Sequence, residues 1–222
     1  GFDPAPEYGA SPIHSPKLKT GRTAVTVTNR YIAPDLSAWQ GRKDAPPQSS
    51  LFQIVQPLDL SGAASIQSGM PGFAVLGFRS DEGVRRNQGR PGASDGPQAL
   101  RPLLARLPLH RAGITLFDAG DITCSDGDLE ASQQALALSV NKLLSMGVTP
   151  LVLGGGHEVA YGHFLGVSSA FAGKSIGITN IDAHLDMRPL VDGRKGSSGT
   201  PFLQIAQHCQ SRKLDFIYTC VG

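Results

Sequence analysis

The sequence predicts an α/β fold, a three-layer αβα sandwich around a mainly parallel, doubly wound sheet. Three observations predict it. From about residue 72, short apolar runs alternate with longer amphipathic ones. The short runs are near-continuously apolar, as expected of parallel strands covered on both faces. The 222 residues, 40% of them hydrophobic, suffice for one domain with a real core.

The elements follow in order. Residues 1–37 carry Pro4, Pro6, Pro12, Pro16 and Pro34 with little apolar patterning, so an extended or poorly ordered arm is predicted there. The α/β domain then covers 38–222. Residues 41–50, with Pro46 and Pro47, read as loop. Strands are predicted at Phe73–Phe78, Ile114–Phe117, Thr149–Leu153, Ser175–Ile181 and Asp215–Val221. A helix over Pro97–Leu107 would place Leu100, Leu103, Leu104 and Leu107 along one side, with Asp95 able to cap it and Pro102 able to kink it. The clearest helix is Leu129–Met146. Leu129, Leu136, Val140, Leu143 and Leu144 share a stripe, Asp128 stands at the cap and Gly147 ends it. Further helices are predicted over His157–Phe171 and Pro201–Arg212.

Composition excludes several classes. The formal net charge is +2 and the basic residues are scattered, so no nucleic-acid stripe or membrane patch is predicted. No apolar run is long enough to span a bilayer. Cys124, Cys209 and Cys220 are odd in number and form no C-x-x-C pair, which points to free thiols in a reducing compartment, the cytoplasm.

The chemistry concentrates in "NIDAHLDMRP", residues 180–189, at the end of a predicted strand. Ligands of open parallel sheets bind at such carboxyl ends. In an extended segment Asp182, His184 and Asp186 would point the same way. Two carboxylates so close repel each other unless a cation lies between them. Oxygen donors with imidazole and no thiolate suit manganese, magnesium or iron better than copper(I), and lower the odds of zinc. "LVLGGGHEVAYGH", residues 151–163, places His157 at a second strand end after three glycines. Alone, that turn could equally cradle a phosphate, but it lacks the Lys-Ser/Thr of a P-loop and the spacing of a dinucleotide site. Asp118 and Asp121, at a third strand end, read as acceptors behind a metal ligand or as turn caps.

"GGGHEVAYGH" and "DAHLD" resemble the paired metal motifs of the ureohydrolase superfamily, the arginases, agmatinases and their relatives. "WQGRKD" (39–44), "DEGVRRNQGRPGASDGPQALR" (81–101) and "SSGTPF" (197–202) are most similar to the formimidoylglutamase branch. The resemblance implies an arginase-like fold and two manganese ions. His157 would bind one ion and His184 the other, Asp182 would bridge them, and Asp186 would bind the first ion and act as the catalytic proton acceptor. It implies hydrolysis of N-formimidoyl-L-glutamate to glutamate and formamide in histidine degradation, on a small-molecule substrate, and leaves a homo-oligomer open. Another guanidino or amidino substrate and a non-catalytic, incomplete relative are the alternatives.

A dicarboxylate substrate needs cations. Arg188, two residues past Asp186, is the predicted specificity residue, since arginine grips a carboxylate with two parallel hydrogen bonds. Ser198 and Thr200 are predicted to add hydroxyls, and Arg85, Arg86 and Arg90 form a second basic group. The family's third motif, Ser-x-Asp-x-Asp-like, is not found: after Asp186 the only acids are Asp192 and Asp215. The chain therefore reads as the N-terminal part of a longer protein, and two-ion binding and activity are predicted to be weak or absent in these residues alone.

Overall fold

The computed structural model describes residues 29–62 and 72–222. Most of the predicted arm lies outside the described residues. Its last part carries β1 (Tyr31–Ile32), which lies antiparallel against β4 (Thr115–Thr123). β2 (Val55–Pro57), β3 (Gly72–Arg79) and β5 (Val148–Leu153) complete a five-stranded sheet. Its order is β1-β4-β3-β5, with β2 also on β4, and every pairing except that of β1 is parallel. β6 (Gly177–Ile181) and β7 (Ile217–Val221) pair in parallel as a second, two-stranded sheet. The helices are α1 (Glu82–Arg86), α2 (Gly96–Ala105), α3 (Leu129–Ser145), α4 (Val159–Ala170) and α5 (Pro201–Arg212).

The period-2 alternation of β3 builds two cores. Ala74, Leu76 and Phe78 face Leu136, Val140 and Leu143 of α3. Val75 faces the opposite way, into a cluster with Trp39, Ala105 and Leu116. Each large apolar side chain removed from water contributes about 1.5–3 kcal/mol. The stripe predicted for α3 is the buried one, and the Asp128 carboxylate accepts the Ala131 N–H at 3.0 Å. α4 approaches α3 closely because it offers Gly162 and Gly166. A Cβ on Gly166 would lie 2.6 Å from Val140 Cβ, so no larger residue fits there.

Three expectations are corrected. β4 does not end at Phe117: it runs on through Asp118, which is fully buried, and Asp121, which is nearly so. Neither sits at a strand end, although Asp118 Oδ1 also accepts the Gly120 N–H at 2.9 Å, an Asx-type turn within the strand. Arg101 neutralises both, with its Nε 2.7 Å from Asp118 Oδ2 and its Nη1 2.8 Å from Asp121 Oδ1. Trp39 Nε1 adds a bond to Asp118 at 2.6 Å. A buried carboxylate without these partners would cost several kcal/mol.

The same pairing rotates α2. Its buried face is Pro97, Arg101 and Ala105, while Leu103 is 61% exposed and Leu100 and Leu107 also face outward. Seating Arg101 against two buried acids outweighs burying a leucine, because the alternative strands two charges. Asp95 stands at the N-cap but makes no capping bond.

The third correction concerns β6 and β7, which among the described residues are covered on one face only. Ile178 and Tyr218 pack against Phe164 of α4 and Phe202, Ile205 and Cys209 of α5. On the other face, Ile181 is 85% exposed, and Ile217 and Val221 are exposed beside it. Among the described residues no helix of the chain is long and apolar enough to cross a membrane.

Candidate metal centre

The tips of β5 and β6 carry the site. After β5 the chain passes through Gly154, Gly155 and Gly156 to His157. A Cβ at Gly155 would collide with the Ser80 carbonyl, so only glycine lets this turn lie against the segment that follows β3. The His157 ring rests edge-on against Phe202, with centroids 5.5 Å apart.

Beyond β6 the chain bends immediately and does not stay extended. Asp182 Oδ1 accepts the His184 N–H at 2.9 Å, an Asx-type turn that breaks the predicted row. Asp186 then adopts φ +45°, in the left-handed region that Asp tolerates better than most residues. These two bends bring both acids to His157. Its Nδ1 lies 2.6 Å from Asp186 Oδ2 and 3.3 Å from Asp182 Oδ2. His184 stands apart: its side chain is 78% exposed and its Nδ1 is 3.5 Å from Asp182 Oδ1. Of the four predicted ligands, the structure gathers His157, Asp182 and Asp186, whose donor atoms all lie within 4.8 Å of one another.

This donor set fits a divalent cation. Neighbouring ligands of an octahedral ion with bonds of about 2.1 Å stand about 3 Å apart, comparable with the spacings here. The His184 N–H holds the Asp182 carboxyl below its ordinary value, against an opposing effect of burial, with His157 adding to the depression. The carboxylate form that a metal requires is thereby favoured.

Side chains that the sequence did not single out hold this loop. Asn180, at the inward-facing end of β6, donates to the His184 carbonyl at 3.3 Å and to Tyr218 Oη at 3.2 Å. Tyr218 Oη donates in turn to the Leu185 carbonyl at 3.0 Å. Cys220 Sγ lies 3.2 Å from the Asp182 carbonyl and 3.3 Å from that of His184. One signal was available: Asn180 is a polar residue inside an apolar run, and buried amides find partners.

Glu158, the residue after His157, supports the turn from the other side. It is fully buried, and its Oε1 accepts from Ser80 Oγ at 3.0 Å and from the Gly83 N–H at 2.9 Å. Its Oε2 has no hydrogen-bond partner among the described residues, and burial pushes the carboxyl above its ordinary value. The bond ties the His157 turn to α1. From there Gly83 O accepts the Ser198 N–H at 3.0 Å, and Gly199 O accepts the Arg188 N–H at 2.9 Å.

The predicted substrate residues divide. Arg188 is exposed, and its guanidinium has no partner among the described residues. Ser198 is half-buried on the same loop. Thr200 is fully buried, and its hydroxyl is committed to Ser197 and Gln204 in the turn that opens α5. A substrate contact from Thr200 would break these bonds. Arg86 is spent on Glu82, Glu130 and the carbonyls of Gly127 and Gly196, and Arg85 pairs with Glu82. Arg90 is exposed.

Fold and donors together define the class: a largely parallel αβα protein with a cation-suited cluster at its strand tips. The chain belongs to the arginase family, whose model matches residues 71–220. Within it the resemblance is to formimidoylglutamases. That of Chromobacterium violaceum is 47% identical over 188 residues, 85% of this chain and 58% of the relative. That of Geobacillus thermodenitrificans is 48% identical over 197 residues, 86% of this chain and 59% of the relative. A crystal structure of Trypanosoma cruzi formiminoglutamase with manganese is 32% identical, with a TM-score of 0.57 over 68% of this chain and 60% of that one. The chain spans somewhat under two thirds of the length of the curated relatives it matches.

Proposed function

We propose that the protein hydrolyses N-formimidoyl-L-glutamate to L-glutamate and formamide, with manganese held by His157, Asp182 and Asp186. The convergence of His157 with the two acids carries this reading, and the similarity to formimidoylglutamases supports the substrate. Manganese, when bound, would lower the pKa of a water and polarise the amidine. Every other part belongs to the chain. His157 and Asp182 hold the cation, with Asn180, Tyr218 and Cys220 fixing the loop beneath. Asp186 takes the proton that the attacking water loses. The bond between the amidine carbon and the glutamate nitrogen breaks, and that nitrogen leaves protonated. Arg188 orients a substrate carboxylate, assisted by Ser198. His184, turned to solvent, is the donor left for a second ion. We place the reaction in histidine degradation, in the cytoplasm.

The test is turnover by the full-length, manganese-loaded protein. N-formimidoyl-L-glutamate should yield glutamate and formamide in equal amounts, faster than agmatine or 4-guanidinobutyrate is hydrolysed. Faster turnover of a guanidino compound, or none by a protein shown to hold manganese, would overturn the reading. Arg188→Asn should raise KM about tenfold or more with little change in kcat, the signature of lost uniform binding.

A further inference from the structure

We infer that Asn87 is a second substrate-binding residue, forming with Arg188 a two-part clamp on one substrate carboxylate. The inference deepens the amidine-hydrolase reading and rests on it. Gly199 reveals the arrangement. A Cβ there would lie 2.9 Å from Arg188 Cδ, 3.1 Å from Asn87 Oδ1 and 3.3 Å from Asn87 Nδ2. The arginine stem and the carboxamide thus converge over one glycine, from segments about a hundred residues apart in sequence.

Both head groups are unspent. The half-buried Asn87 side chain has no hydrogen-bond partner among the described residues, nor does the guanidinium of Arg188. Partly buried amides without partners are uncommon, because a polar group out of water needs a replacement bond. Charged groups on the segment that carries Asn87 are already committed. Arg85 and Arg86 are paired with Glu82 and Glu130, and Asp81 accepts from Gly92, Ser94 and the Ser94 hydroxyl.

Asn87 is also held in place. It follows α1 directly, and its N–H donates to Gly83 O at 3.0 Å. Gly83 is fixed by buried Glu158, and Arg86 ties the helix to α3 and to the loop at Gly196. On the other side, the pairing of Arg188 with Gly199 fixes the start of the arginine. A guanidinium and an amide N–H held this way suit a carboxylate, the first supplying charge and the second a directed donor. Preorganisation lowers the entropic cost of gripping it. The clamp lies two residues beyond Asp186, so a carboxylate held there belongs to the molecule whose amidine faces the cation site.

The experiment uses the full-length, manganese-loaded protein with Asn87→Ala, Asn87→Asp and Arg188→Gln. Readouts are KM and kcat for N-formimidoyl-L-glutamate, calorimetric binding of glutamate, manganese affinity and Tm. Asn87→Ala should raise KM and weaken glutamate binding about tenfold, with kcat, manganese affinity and Tm near wild type. Asn87→Asp should be worse than Ala, because a second carboxylate repels the ligand. The Arg188→Gln, Asn87→Ala pair should lose less than the product of the single losses. Wild-type KM in both Asn87 variants would overturn the clamp. So would losses matched by a fall in Tm or manganese affinity, which would mark Asn87 as structural. If the wild type binds glutamate through Asn87 yet does not hydrolyse the amidine, the functional reading fails and the clamp stands. If it binds neither compound, both fall.

Discussion

His157 Nδ1 lies 2.6 Å from Asp186 Oδ2, and the strands that precede these residues belong to different sheets. β5 is an edge of the five-stranded sheet and β6 is half of the two-stranded one. The candidate metal centre therefore sits on the seam between the sheets, with each side contributing donors.

The first prediction concerns that seam. His157→Ala and Asp186→Asn should each weaken manganese binding by about a hundredfold or more, beyond the ten- to hundredfold typical of residues that only support ligands. Calorimetric titration with manganese alone measures it. An affinity within threefold of wild type in either variant would remove that residue from the site.

A second prediction concerns Tyr218. Tyr218→Phe removes the bond to the Leu185 carbonyl and one of the Asn180 contacts while keeping the ring packed on Phe202 and Phe216. The ligand loop should loosen and manganese affinity fall about tenfold, with Tm changed by only a few degrees. Equal affinity would show that the backbone alone holds the loop.

Arg101 tests the buried ion network. Arg101→Ala leaves Asp118 and Asp121 buried without their cation. Stability should fall by about 3–5 kcal/mol in urea unfolding. Arg101→Met with Asp118→Asn should recover part of that loss, since the uncompensated charge is the main cost. A small loss in the single variant would mean that the acids are rehydrated.

The acid side of the stability profile follows from Asp126. Arg30 donates to it at 2.7 Å and lowers its carboxyl to about 2. The folded state thus holds the proton less readily than the unfolded chain, where the group titrates near 3.8. Its stabilisation is present above that value and is lost as pH falls toward 2. Asp126→Asn should flatten the loss of Tm between about pH 4 and pH 2 and leave the profile above pH 5 parallel to wild type. An unchanged acid limb would contradict the pairing. Because Asp126 is largely exposed, added salt should shrink the effect.

How far these features were legible in the sequence depends on how local their causes are. The α3 helix carries its own instructions, in the Asp128 cap and the apolar period, and the structure follows them. The tips of β5 and β6 were legible for the same reason: an apolar run followed by glycines or acids marks where a strand must stop. The rotation of α2 was not, because it is decided by Arg101 meeting Asp118, a partner on another element. The departure of His184 was hidden because the Asp182–His184 turn overrides the strand period within two residues. Asn87 was passed over because its significance lies in what surrounds it, and the partners of Glu158 were hidden for the same reason. Ser80 is 78 positions from Glu158, and no periodicity links the two.

Glu158 has a further consequence. Its carboxyl fills the space where a Cβ would stand on Gly83 and on Gly156. A methyl group added at either position collides with it, and shortening the acid leaves a hole that a larger residue at 83 or 156 could enter. The three positions should therefore change together across relatives. Lineages that keep the acid should keep both glycines, and a lineage that loses it should be free to carry alanine or serine at one of them. Natural variation at these positions would then amount to one inherited unit, shared between the segment that follows the third strand and the turn that carries the metal-facing histidine.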